Sequence, residues 1–86
     1  MVIRLSGNRA IAIADSLFRG RRSLSEAEGY TLHYGHIVDD KGQTIDDVVV
    51  ALFRAPHSYT GDDIVEITAH GSEYITQEIV RMAIEH

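Results

Sequence analysis

One carboxylate, Glu66, stands in the middle of a run that alternates as a strand does: on Ile64 to Ala69, Val65, Ile67 and Ala69 fall on one face and Ile64, Glu66 and Thr68 on the other. Its neighbours on that face are not a solvent-seeking set, and an acid among apolar residues is costly to bury unless a partner meets it. Two kinds of partner are open to it. An ion pair with Arg4 or Arg54 would satisfy both groups while adding little stability. Alternatively, the carboxylate waits for a ligand that presents adjacent N–H donors.

The histidines offer a second chemistry. His33, His36, His57 and His70 are interior to the chain, but His33 and His36 are three apart on a strand-like run and point to opposite faces, so they cannot share a metal without a bend. There is no HExxH, and hydrogen-bonded or exposed structural histidines are the reading preferred. Ser58 and Thr60 flank His57, yet adjacency in a loop is not triad geometry, and such side chains commonly bond their own backbone. A small stand-alone hydrolase, metal-dependent or built on His57, His70 and Glu66, is kept as the alternative function, with a purely structural interaction domain as a third. Ser6-Gly7 and Thr60-Gly61-Asp62 do not fit a phosphate loop, which needs a Gly-Lys-Ser/Thr end, and the lone lysine, Lys41, sits in a turn. No nucleotide hydrolysis is expected of this chain alone. Asp62-Asp63 reads as a solvated strand start.

These groups need positioning elements. Val2 to Leu5 reads as a short strand; Ser6 offers a helix N-cap, and Ala10, Ile11, Ala14, Leu17 and Phe18 recur at helical spacing up to a stop at Gly20. Residues 21–29 read as a polar connection. Tyr30 to Val38 and Ile45 to Phe53 read as the strands of a hairpin across an Asp-Asp-Lys-Gly-Gln-Thr turn, the second apolar on both faces from Val48 onward, as a central strand is. Pro56 and Gly61 shape the loop before the Glu66 strand, and Ser72 caps a last helix whose Ile75, Ile79, Met82 and Ala83 face the core. The order β-α-β-β-β-α predicts an α+β fold, a mixed sheet with both helices on one face. Val2 to Leu5 is expected near a sheet edge, and such an edge tends to recruit another strand.

Composition bounds the function. At 86 residues the chain is one small domain or a piece of a larger one, and both ends look cut. A net charge of −5 argues against a nucleic-acid surface, and Arg19, Arg21 and Arg22 are too short a basic cluster to reverse that. The absence of cysteine excludes disulfides and thiolate chemistry and suits the cytosol. No apolar run is long enough to span a membrane.

Val2-Ile-Arg-Leu-Ser-Gly, Tyr34-Gly-His-Ile-Val, the stretch from Phe53 to Ile67 with its Pro-His-Ser-Tyr-Thr-Gly-Asp-Asp signature, and His70-Gly together resemble the N-terminal domain of the tRNA modification GTPase family MnmE, also called TrmE. The resemblance covers nearly all of residues 1–86, and its implications are specific. The domain would bind a tetrahydrofolate one-carbon donor (5-formyl- or methylene-tetrahydrofolate) and drive homodimerisation, as one half of a folate-binding fold like that of the glycine-cleavage T protein. Arg4 and Glu66 occupy the positions of the family's folate contacts. A carboxylate can accept the two side-by-side donors of a pterin, and an arginine fork can meet a pterin carbonyl. The parent protein would hydrolyse GTP, with Mg and K, in a GTPase domain outside this sequence. It would work in the cytoplasm on the wobble uridine of tRNA with the partner MnmG (GidA). Two departures are visible: a family segment before the Ile-Arg strand is missing, so a domain truncated at both ends is expected, and Ala69 stands where relatives often have cysteine.

Overall fold

The computed structural model describes residues 1–56 and 61–86; His57, Ser58, Tyr59 and Thr60, with the histidine–hydroxyl grouping weighed above, lie outside the described residues. Strands β1 (Val2–Ser6), β2 (Phe18–Gly20), β3 (Thr31–Val38), β4 (Thr44–Phe53) and β5 (Ile64–Ala69) form one sheet in the order β1-β5-β4-β3-β2. Helices α1 (Ala10–Leu17) and α2 (Glu73–Glu85) pack on one face of it. The α+β layering follows the sequence expectation. The sheet is antiparallel at all four junctions where the sequence suggests a mixed one, because every strand runs opposite to its neighbour and none reaches it by a parallel crossover.

Period-two patterning decides which side is the core. Val48, Val50 and Leu52 of β4 and Val65, Ile67 and Ala69 of β5 are buried beneath Ala10, Ile11, Ala14 and Leu17 of α1 and Ile79, Met82 and Ala83 of α2. The expected core face of α2 is observed, with Ile75 partly buried against the cluster and the Ser72 hydroxyl accepting from the Ile75 N–H at 3.4 Å. β4 lies inside the sheet between β5 and β3, as its apolar run predicts, and β1 lies at an edge.

Three local expectations are corrected. Ser6 does not cap α1: it stays in β1 opposite Ile64, the Gly7 N–H extends the pairing to the Asp63 carbonyl at 3.0 Å, and the chain turns at Gly7 with φ +124°. Arg9 takes the N-cap position without a side-chain bond. Second, α1 ends at Leu17 rather than Gly20, and Phe18–Gly20 become β2, adding a strand to the expected order. Phe18 is extended (φ −99°, ψ 141°) and buried. Its ring lies where Gly20 and Gly35 leave room, since a Cβ on either glycine would fall within 2.6 Å of it. Periodicity alone places Phe18 on the helix; the space at these two glycines decides otherwise. Third, residues 21–29 hold a 3₁₀ turn, Leu24–Glu26, with Leu24 and Ala27 buried. Asp15 fastens this turn by accepting from Ser23 Oγ at 2.8 Å, the Leu24 N–H at 2.7 Å and Ser25 Oγ at 2.9 Å.

Candidate functional site

The helix-free face of the sheet is where Glu66 emerges. Antiparallel register sets Arg4 of β1 directly opposite Glu66 of β5, and Glu66 opposite Ala51 of β4, which in turn faces Leu32 of β3. The four residues form one row across the sheet. On this row Arg4 donates to a single carboxylate oxygen, Glu66 Oε2, from Nε at 3.0 Å and from Nη2 at 2.6 Å. Arg4 therefore answers the partner question for Glu66, and Arg54 does not. The guanidinium of Arg54 turns to the 3₁₀ segment instead and donates to the carbonyls of Ala27 (2.9 Å), Leu24 (3.2 Å) and Ser25 (3.0 Å).

The pair leaves chemistry in hand. Both arginine donors converge on Oε2, so among the described residues Glu66 Oε1 and Arg4 Nη1 have no hydrogen-bond partner. Side-chain exposure is 29% for Glu66 and 59% for Arg4, so an arriving ligand can reach both. A free carboxylate oxygen beside a free guanidinium N–H presents an acceptor and a donor at one spot. That combination suits a flat heterocycle with an amino group and a carbonyl on its edge.

The surroundings are apolar and exposed. Val2, Leu32, Tyr34 and Val49 point outward from the same face, with exposures of 61%, 73%, 71% and 40%. At one end Ile64 is buried opposite Phe53, whose ring meets Tyr30 edge-on at 5.8 Å. Sequence reasoning misses this outward apolar set, although a signal for it exists in the two-faced apolar run of β4. His70 is exposed just past β5 and lines a cleft of about 180 Å³ with Tyr34, Asp47 and Thr68. His33 and His36 sit on opposite faces of β3 as their spacing requires, and His33 Nε2 lies 2.8 Å from Thr31 Oγ1. Burial, helped by the charge of Arg22, holds the His33 imidazolium below its ordinary pKa. Among the described residues no group of three histidine, aspartate and glutamate side chains is placed to hold a metal ion. Among them too, no helix is long and apolar enough to cross a membrane.

Comparison with known proteins adds a family to this geometry. A family model described as the GTP-binding protein TrmE N-terminus matches residues 1–86. A tRNA modification GTPase MnmE of Parabacteroides distasonis is 52% identical over 86 residues, covering 96% of this chain and 19% of the relative. Relatives with the same description from Flavobacterium johnsoniae and Listeria innocua are each 46% identical over 85 residues, covering 96% and 99% of this chain and 18% of their own lengths. The chain thus spans about a fifth of the length of the curated relatives it matches.

Proposed function

The chain belongs to the family of GTP-binding protein TrmE N-termini, and from that premise we propose that it is the folate-binding and homodimerisation module of a tRNA modification GTPase. The observation that carries the reading is the Arg4–Glu66 pair, half-satisfied and open to solvent in the middle of an apolar sheet face. Glu66 Oε1 accepts from the pterin amino group, and Arg4 Nη1 donates to the neighbouring carbonyl edge. The reduced ring lies on the apolar row beside them. The same face supplies the dimerisation surface: Val2, Leu32, Tyr34 and Val49 are the residues a second copy would cover, completing a folate-binding fold of the glycine-cleavage T type from two halves. GTP with Mg and K, the tRNA and the partner MnmG are met by other parts of the parent protein, in the cytoplasm; nothing in this module hydrolyses a nucleotide.

Titration with 5-formyltetrahydrofolate tests the reading. Glu66→Gln keeps the size of the side chain and replaces one acceptor with a donor that opposes the pterin amino group. A charge-assisted hydrogen bond is worth roughly 1.5–3 kcal/mol, so affinity falls by about 10- to 150-fold. Stability changes by less than about 1 kcal/mol, because the Arg4 pair is largely exposed and screened. Equal affinity in the variant and its parent would overturn the assignment. Sedimentation across a concentration series tests the dimer, with Leu32→Glu expected to weaken it.

A further inference from the structure

The arginines of this chain divide into two sets. Arg4 is held by Glu66, Arg9 by the His86 carbonyl, Arg19 by the carbonyls of Ser16 and Phe18, Arg54 by three carbonyls, and Arg81 by Glu78 and Glu85. Arg21 and Arg22 are exposed, and among the described residues neither has a hydrogen-bond or ion-pair partner. They come directly after β2. That strand stops at Gly20 opposite Gly35, while β3 runs on to Thr31, so the Thr31–Tyr34 part of β3 has β4 on one side and, among the described residues, no strand on the other. Arg21 and Arg22 flank this open edge and, with Thr31, Leu32, His33 and Tyr34, line a groove of about 530 Å³. Their charge is felt inside it, since Arg22 helps to depress the pKa of His33 in the groove wall.

Two uncommitted cations beside a groove, in a chain of net charge −5, mark the place where an anionic chain could settle. The groove is continuous with the candidate site. Leu32 lines it, and Leu32 is also the far end of the Arg4–Glu66–Ala51–Leu32 row. From Glu66 to Leu32 is two strand spacings, about 10 Å. A folate has the matching layout: a pterin, a rigid benzoyl spacer and a glutamate tail that carries carboxylates. Resting on the folate reading of the Arg4–Glu66 pair, we infer that Arg21 and Arg22 hold the glutamate carboxylates of the same ligand in the groove beside β3. The spacer crosses the sheet over small Ala51 and against Leu32 and Tyr34, between this face and the second copy that covers it. This makes the preferred ligand a folate that keeps its glutamate tail, because a single glutamate already brings two carboxylates, one for each arginine that has no other partner among the described residues.

The test uses one reduced folate in three forms, without glutamate, with one and with three, titrated against the chain, its Arg21→Ala/Arg22→Ala variant and Glu66→Gln. In the parent, affinity rises from the form without glutamate to those with it by about 3- to 30-fold, the size of two solvent-screened arginine–carboxylate contacts, and the rise shrinks in high salt. The double arginine variant binds the tail-less form as the parent does and loses the rise. Glu66→Gln weakens all three forms by the same factor and keeps the rise. If the double variant retains the full rise, the tail assignment is overturned while the pterin assignment stands. If no form binds, or Glu66→Gln weakens none of them, the pterin assignment fails and takes the tail with it. Circular dichroism of the double variant should match the parent, since neither arginine holds any part of the fold.

Discussion

The two faces of the sheet carry similar side chains and have opposite neighbours. Along β4, Val48, Val50 and Leu52 lie under helices and are at most 2% exposed, whereas Val49 between them is 40% exposed, with no layer above it among the described residues. On β5 the alternation brings Ile67 to the core and Glu66 to the open side. Composition therefore does not distinguish core from surface in this chain; only the presence of a second layer does. An apolar face without its layer, with a half-satisfied ion pair set in it, is the ordinary look of a surface made to be covered by a ligand or a partner.

Substitutions can break this contrast if it is wrong. The largest stability effect is expected on the covered face. Ile67→Ala removes a fully buried side chain and should cost about 2–5 kcal/mol, measured by denaturant unfolding. The counterpart on the open face, Leu32→Thr, measured at a concentration low enough to keep the chain monomeric, should stay within about 0.5 kcal/mol, because Leu32 is 73% exposed in the single chain. Comparable losses from both would mean that a layer covers the open face in solution. A smaller loss, about 1–3 kcal/mol, is expected from Gly35→Ala, whose Cβ would collide with the Arg19 carbonyl and lie 2.6 Å from the Phe18 ring. Phe18→Leu in the same molecule should recover part of it, and no recovery would argue that the backbone contact dominates.

Asp15 sharpens the comparison at the sheet margin. Burial pushes its pKa up, but the hydrogen bonds from Ser23, Leu24 and Ser25 outweigh that, leaving the carboxyl below its ordinary 3.8. A carboxyl depressed by folding stabilises the fold above its unfolded pKa, and the contribution fades as pH falls through the folded value. Asp15→Ala should thus cost about 1 kcal/mol at neutral pH, discounted for partial solvent access, and the gap to the parent should close below about pH 4. A gap that persists at pH 2 would assign the loss to packing instead. The smallest effect belongs to Arg81, which bridges Glu78 and Glu85 on the outer surface of α2; Arg81→Ala should leave the melting temperature within measurement error at moderate salt.

Much of this fold is legible in the residues. The β5 alternation, the core stripe of α2, the Ser72 cap and the interior position of β4 all come from periods of two and 3.6. The opposition of Arg4 and Glu66 is one of two pairings the residue types allow, but choosing it needs the β1–β5 register, which sequence spacing does not carry across 62 positions. The boundary at Phe18 escapes for a similar reason: an apolar residue in phase with a helix is held in a strand by room left at Gly20 and Gly35. Ser6 has the residue type of a cap, yet backbone pairing with Ile64 claims it first. The open β3 edge with Arg21 and Arg22 is invisible in the sequence because it depends on where β2 stops.

The direct passage from α1 into β2 has a consequence for how this chain can change. Leu17 ends the helix, Phe18 begins the strand, and no linking residue separates them. One residue added at that seam would turn the helix by about 100° relative to the strand, or else flip every side chain of the strand to the opposite face. Either outcome pulls Leu17 or Phe18 out of the core, and neither can be absorbed locally. The seam is thus a phase lock between two periodicities, and length variation in relatives should fall on the Asp39–Gln43 turn instead, where the backbone closes on itself through the Asp39 N–H and the Gln43 carbonyl at 2.9 Å. An alanine inserted after Leu17 should abolish cooperative unfolding, while one inserted after Lys41 should leave a single sharp transition.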